Sequence, residues 1–283
     1  MEGHARAPAA GTVLNALATG TGSAFAIDEY TRATVSLDGT ATIEGTVAEE
    51  SDADTALIER CVAAVVERVG SGQGGTVRTE SDVPMASGLK SSSAAANATV
   101  MATLDALDAV DEVSKEEAAR IGVDAARDVG VTVTGAFDDA SASMLGGVTV
   151  TDNTTDELLA HETVDWDVLV YTPPEKVFSA GADVERCRRV APVAELVADL
   201  ALEGAYAQAM TVNGLAFCAA LGFSPDPIVE AMSAAEGVSL SGTGPSFTAV
   251  GDRGTLERIR DRWDDREGTT WLTTTQTEGA RTT

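Results

Sequence analysis

The sequence predicts a mixed α+β chain of 283 residues with a break near its middle. Three observations predict it. Alternating, β-branched runs crowd the first third. Apolar residues recur at helical spacing in several separate segments. After a polar stretch at 151–157 the pattern of short apolar strands and longer helices starts again.

In chain order, residues 33–37 and 41–47 read as two strands of a hairpin around Asp38-Gly39-Thr40. A helix is expected over 56–69, where Leu57, Cys61, Val62, Val65 and Val69 share a face and Gly70 and Gly72 end it. A short flexible connection, 71–75, leads to a strand at 76–80. Residues 83–93 form a Pro-, Gly- and Ser-containing loop that runs into an Ala-rich helix. Ala96, Val100, Leu104 and Leu107 mark the buried face of that helix. The next helix spans 114–129, with Ser114 as N-cap and Glu117 completing a capping box. Residues 132–145 are small and polar, and 147–151 returns to a strand. Beyond a boundary placed within 152–165, a strand at 168–172 stops at Pro173-Pro174. Helices follow at 193–202, 203–221 and 225–235, then a strand at 247–250. A helix at 254–263 carries Leu256, Ile259 and Trp263 on one face, and a last strand covers 269–275. The tail after Gln276 reads as disordered.

Composition narrows the function classes. The chain holds 45 Asp+Glu against 19 Lys+Arg, a net charge of −26. Such a surface excludes nucleic acid and anionic membranes as partners. Only three of the cations are lysines, Lys90, Lys115 and Lys176, and 48 residues are alanine. Acidic, lysine-poor and alanine-rich is the expected composition for a cytoplasm of molar salt, where the Debye length falls to about 3 Å. Cys61, Cys187 and Cys218 are too scattered for a disulfide framework or a metal site. Two histidines, His4 and His161, argue against His-based zinc sites and a Ser-His-Asp triad. No apolar run is long enough to span a bilayer, and the first residues lack the apolar core of a signal peptide, so a cytoplasmic protein is expected.

Three segments carry chemistry. In Gly88-Leu89-Lys90-Ser91-Ser92-Ser93-Ala94, a glycine precedes a helix whose first turn presents free N–H groups and the positive end of the dipole. Serine hydroxyls and Lys90 lie at the same entry, which describes a phosphate cradle; a well-capped helix after a serine-rich turn is the bland alternative. It is no Walker A loop, since GxxxxGK[ST] is absent. Ser241-Gly242-Thr243-Gly244-Pro245-Ser246 is a second Gly-rich turn, able to pack against the first loop or against phosphates. In Thr134-Gly135-Ala136-Phe137-Asp138-Asp139, two acids stand among small residues. They suit proton acceptance or metal binding, and equally the N-terminus of a helix.

Together the three segments resemble those of the GHMP kinase superfamily (galactokinase, homoserine kinase, mevalonate kinase). Pro84-x-x-x-Gly88-Leu89-Lys90-Ser91-Ser92-Ser93-Ala94 matches the P-x-x-x-G-L-x-S-S-A phosphate loop, and Gly135-Ala136-Phe137-Asp138 stands where relatives carry a catalytic aspartate. Ser241–Ser246 matches the C-terminal Gly-rich motif, and Ala7-Pro8 the start of the first motif, here without its A-P-G-K lysine. The wording of TGAFDDASAS, VTVTDN and SGTGPS, and of the Pro173-Pro174 stretch leading to Phe178-Ser179, is most similar to the archaeal shikimate kinase family. That resemblance implies two α+β domains, 1–157 like the ribosomal S5 domain 2 and 158–283 ferredoxin-like. It implies ATP and Mg²⁺ as cofactors and phosphorylation of the 3-hydroxyl of shikimate. Homoserine or mevalonate kinase activity, and a non-catalytic ATP-binding regulator, are the alternatives.

Residue roles follow from the same resemblance. Pro84, Ser87, Gly88, Leu89, Lys90, Ser91, Ser92, Ser93 and Ala94, with Gly242, Thr243 and Gly244, bind the nucleotide. Asp138 is the catalytic base or orients the acceptor, and Asp139 assists it or caps a helix. Ser92 holds Mg²⁺ with an upstream carboxylate, Asp124 or Asp128. The substrate carboxylate needs a cation, for which Arg6 is preferred over Arg186, Arg188 and Arg189, while Asn15 and Asn213 serve the hydroxyls.

Overall fold

A computed structural model describes residues 1–50, 52–132, 135–177 and 181–283. Thr134 of the acidic segment and the Phe178-Ser179 pair lie outside them. Two sheets organise the chain. The first contains β1 (Glu2–Leu14), β2 (Thr21–Leu37), β3 (Ile43–Val47), β4 (Gly75–Ser81), β5 (Val148–Asp152), β6 (Glu157–Glu162) and the short β11 (Arg281–Thr282). Its order is β11-β1-β2-β4-β3, with β5 paired to the first part of β2 and β6 to β5. The second has β7 (Asp167–Thr172), β8 (Gly237–Leu240), β9 (Phe247–Gly251) and β10 (Thr269–Thr274) in the order β10-β7-β9-β8.

Helices α1 (Ala56–Val69), α2 (Ser91–Ala106), α3 (Lys115–Asp128) and α4 (Phe137–Leu145) belong to the first half. α5 (Val184–Arg188), α6 (Ala191–Leu202), α7 (Tyr206–Leu221), α8 (Asp226–Ala231) and α9 (Arg253–Trp263) belong to the second. The run β7, helices, β8, β9, α9, β10 with all neighbours antiparallel is the expected ferredoxin-like split βαβ arrangement.

α2 is the central element. Eleven of its residues are buried, so the expected single face of Ala96, Val100 and Leu104 is exceeded. A helix enclosed on all sides has no amphipathic stripe. Its alanines let β1 approach closely: a Cβ on Gly3 would lie 2.2 Å from the Ala102 carbonyl oxygen. α1 and α3 follow their expected bounds, and Ser114 accepts from the Glu117 N–H as N-cap.

The expected hairpin at 33–47 is not formed. β4 lies between the two strands, antiparallel to β2 and parallel to β3. Parallel strands need a crossover, and α1 supplies it. The 38–42 loop instead wraps the start of β4: Asp38 N–H donates to the Gly74 carbonyl, and Gly74 N–H to that of Thr40. The tail is not disordered either. Ala280 is fully buried, β11 pairs with β1, and Lys115 Nζ donates to the Glu278 carbonyl at 2.8 Å. The polar stretch at 151–157 is the end of β5, the turn after it and the first residue of β6, so the strand beginning at the expected boundary of 157/158 stays in the first sheet. α7 starts at Tyr206 because Gly204, at φ +78, ends the preceding helix.

Candidate active site

The phosphate-loop segment forms a tight turn through Ala86, Gly88 and Lys90, all at positive φ, and α2 begins at Ser91. Leu89 anchors the turn. It is fully buried among Ala9, Val13, Leu14 and Phe25, and its carbonyl accepts from the Ala10 N–H at 3.2 Å. Burying such a side chain contributes about 1.5–3 kcal/mol, which holds a strained turn against the core. Ser87 is also buried, its hydroxyl donating to the Pro84 carbonyl at 2.8 Å, so it shapes the loop from within. Ser92 is exposed on the first turn of α2, whose leading N–H groups have no helical partner.

The second Gly-rich turn packs directly on the first. Ser241 Oγ donates to the Gly88 carbonyl at 2.9 Å, and Ser246 N–H donates to that of Ser87 at 3.1 Å. Gly88 permits the approach, because a Cβ there would sit 2.4 Å from the Ser241 carbonyl oxygen. Thr12 Oγ1 accepts from Gly242 N–H at 2.7 Å, and Asn15 Nδ2 donates to the Gly242 carbonyl at 2.8 Å. The end of β1 therefore ties the two turns together.

α4 supplies the carboxylates, with Asp138 and Asp139 in its first turn. That is the helix N-terminus expected for the pair. Asp138 is 4% exposed yet lies on the wall of a cleft of about 670 Å³. Asn153 grips it twice: Asn153 Nδ2 donates to Asp138 Oδ1 at 2.7 Å, and Asp138 N–H donates to Asn153 Oδ1 at 3.1 Å. Gly22 of β2 leaves room, since a Cβ there would fall 2.4 Å from Asp138 Oδ2. Burial and the neighbouring Asp139 charge push the Asp138 carboxyl up to about 7, against the pull of Lys90 and the Asn153 hydrogen bond.

Lys90 reaches across the cleft floor to Asp139, Nζ to Oδ1 at 2.7 Å, with side chains 8% and 15% exposed. Its Nζ would lie 3.0 Å from a Cβ on Gly242, so it stands where all three segments meet. Lys90 is the one cationic side chain among the described residues lining the cleft. The remaining walls are small and apolar on one side, with Leu57, Ile58, Ala96, Val123 and Ala126. Glu49, Glu50, Asp52 and Asp54 stand along another stretch of the lining.

The cleft is thus lined by Gly88, Lys90, Ser91, Ser92, Ser93, Gly242, Thr243, Asp138, Asp139 and Asn15. Other expected residues are elsewhere. Arg6 is on β1 with its guanidinium 4.4 Å from the centre of the Tyr30 ring, away from the cleft lining. Asn213 is fully buried, accepting from Asn15 N–H at 3.0 Å and donating to Ser239 Oγ at 3.0 Å, so its amide is spent on joining the halves. Asp124 is 71% exposed and pairs with Arg127 on the surface of α3, and Asp128 pairs with Arg60. Neither reaches Ser92, because their positions on α3 face solvent. Arg186 donates to the Ala219 carbonyl, and Arg188 and Arg189 are exposed on or beside the short α5. Sequence reasoning missed Asn153 and Gly22 as site residues. The VTVTDN wording was the available signal, since it ends on Asn153.

A full-length comparison decides the family. A curated shikimate kinase of Halobacterium salinarum is 62% identical over 284 residues, covering 100% of both chains. The chain belongs to the shikimate kinase family. A curated shikimate kinase of Methanosarcina mazei is 48% identical over 266 residues, 93% of this chain and 90% of that one. The GHMP kinases N terminal domain matches residues 56–147, which take in the phosphate loop, Lys90 and Asp138. The family fold is a GHMP kinase fold: a homoserine kinase from Cytophaga hutchinsonii superposes with a TM-score of 0.77 at 17% identity, over 100% of this chain and 97% of that one. The two packed Gly-rich turns and the α4 carboxylates line one cleft. Among the described residues no helix is long and apolar enough to cross a membrane.

Proposed function

We propose that the chain transfers the γ-phosphoryl group of ATP to the 3-hydroxyl of shikimate, in the cytoplasm, releasing ADP and shikimate 3-phosphate. The observation that carries this reading is identity of 62% along the whole length of a curated shikimate kinase. The geometry supports it. The turn at Gly88–Ser93 and the first N–H groups of α2 offer a cradle for the β- and γ-phosphates, closed from the other side by Gly242 and Thr243. Lys90 balances charge at that point, in a cleft otherwise rich in carboxylates.

Asp138 takes the proton of the attacking hydroxyl. A group held near 7 suits that role, being ionised enough to accept the proton and basic enough to hold it. Lys90, paired with Asp139, pulls the Asp138 carboxyl down against burial and the Asp139 charge, which push it up. Phosphoryl transfer asks mainly for alignment and charge stabilisation, which the two packed turns and the lysine provide.

Mg²⁺ binding in kinases takes one or two carboxylates, phosphate oxygens and water rather than a full protein cage. On the cleft wall the exposed Ser92 hydroxyl would hold the ion together with phosphate oxygens and water, Asp139 being paired with Lys90 and Asp124 too distant on the surface of α3. When bound, the ion would offset charge on the β- and γ-phosphate oxygens.

The reading is tested by incubating the protein with ATP and shikimate and locating the phosphate by phosphorus–proton correlation NMR. Phosphate on the 3-hydroxyl is expected, and phosphate on another hydroxyl, or none, contradicts it.

A further inference from the structure

The VTVTDN segment has no role in the cradle, yet two of its four polar side chains, Thr149 and Asn153, hydrogen-bond Asp138, and a third, Thr151, holds one of them. It forms β5 and the start of the following turn. Thr149 Oγ1 donates to the Asp138 carbonyl at 3.3 Å and accepts from Ser141 Oγ at 2.8 Å. Thr151 Oγ1 donates to Asn153 Oδ1 at 2.7 Å, the same oxygen that accepts from Asp138 N–H. With two donors on Oδ1, the orientation of the Asn153 amide is forced, and Nδ2 must face Asp138 Oδ1. Asn153 is 3% exposed, and its own N–H donates to the Gly20 carbonyl at 2.9 Å, which fixes it to the β1–β2 connection.

We propose that Asn153 is a positioning residue for phosphoryl transfer: its amide, locked by Thr151, holds Asp138 by one carboxylate oxygen and leaves the other for the acceptor hydroxyl. The inference rests on the reading of Asp138 as the base. Without the amide, the Asp138 side chain is free to rotate and loses a donor that favours its charged form, so both alignment and basicity change. The charged groups around Asp138 are Asp139 on the same helix, Lys90 from the phosphate loop, and the Arg127–Asp156 pair, in which Arg127 reaches from α3 to the β5–β6 turn and lies against Gly135. β2 presents Gly22, which has no charge. None of these groups is removed when Asn153 alone is changed.

The test is Asn153→Leu, which keeps the volume and removes both hydrogen bonds without adding charge. Steady-state kinetics with ATP and shikimate are measured from pH 5 to 9, and the Asp138 carboxyl is titrated by carbon-13 NMR without substrate. The expected result is a kcat loss of about 10- to 100-fold at pH 7, the range for losing a group that orients a catalytic side chain. KM for ATP should stay within twofold, and both the acidic limb of kcat and the Asp138 titration should move up by about one pH unit. An unmoved titration and limb, or a loss shared equally by kcat and both KM values, overturns the proposal and leaves Asn153 a purely structural residue. Should Asn153→Leu fail to fold, Thr151→Val keeps the amide and frees its orientation. It should lower kcat about three- to tenfold with a smaller upward shift, and an unmoved limb again overturns the proposal. If Asp138→Asn retains kcat, the base reading fails by itself, while the titration still decides whether Asn153 holds Asp138.

Discussion

Replacing Asp138 by Asn should stabilise the protein and abolish most of its activity. Asp138 sits almost fully buried between Asp139, Gly22 and Asn153, and its carboxyl is raised from 3.8 to about 7. The folded state therefore keeps a proton that the unfolded chain releases between about pH 4 and 7. A raised carboxyl contributes its stability in full below about pH 4 and loses it as pH climbs through 7. The shift of roughly three units, 7 minus 3.8, corresponds to an upper figure of about 4 kcal/mol at 1.36 kcal/mol per unit. Asn keeps the oxygen that accepts from Asn153 and carries no charge to bury. Denaturant unfolding of wild type and Asp138→Asn, in molar KCl at pH 5 and pH 8, isolates the group. Wild type should lose about 2–3 kcal/mol more than the variant between the two pH values, the remainder of the full figure being lost already below pH 5. The variant should also lose about 10²–10⁴-fold in kcat. Parallel pH profiles of stability, or a variant less stable than wild type at pH 8, would refute the reasoning.

Two further perturbations follow from the same geometry. Lys90→Met leaves Asp139 without its buried partner, so stability should fall by about 3–5 kcal/mol; the acidic limb of kcat should also rise, because Lys90 pulls the Asp138 carboxyl down. A thermal melt and a pH–rate profile check both, and an unmoved limb would contradict the charge coupling. Deleting residues 276–283 removes β11, the buried Ala280 and the Lys115 contact, so Tm should drop by about 4–10 °C, and an unchanged Tm would mean the tail contributes nothing.

The parts legible in the sequence are those whose signal is local. α1 and α3 are written in their spacing and caps, and the turn that opens α2 in a run of eleven residues with a proline, a glycine and serines. The parts that escaped depend on partners far along the chain. β1 is rich in Ala, Gly and Pro, a composition poor in strand propensity, and it becomes a strand because α2 and β2 enclose it. The expected hairpin looked sound from Asp38-Gly39, and only the arrival of β4 from thirty residues later displaces it. The tail is polar and short, and backbone pairing to β1 holds it. Asn153 carries no catalytic signature of its own, and only the fold brings it into two hydrogen bonds with Asp138.

Lysine scarcity was visible from composition, and the fold gives it content. Each of the three has a specific partner: Lys90 with Asp139, Lys115 with the Glu278 carbonyl, and Lys176 with Glu50 at 3.2 Å. The rest of the cationic surface is arginine. An acidic shell of −26 repels itself and other anions least where salt shortens the reach of its charge.

The most direct measurement is ADP release in about 2 M KCl, an ionic strength at which the shell is screened, with shikimate, homoserine and mevalonate offered separately as acceptors. Rapid release with shikimate alone, falling sharply when KCl is lowered to about 0.1 M, is the result expected. Release with homoserine or mevalonate instead, or none with shikimate at any salt concentration, would contradict the assignment of the site.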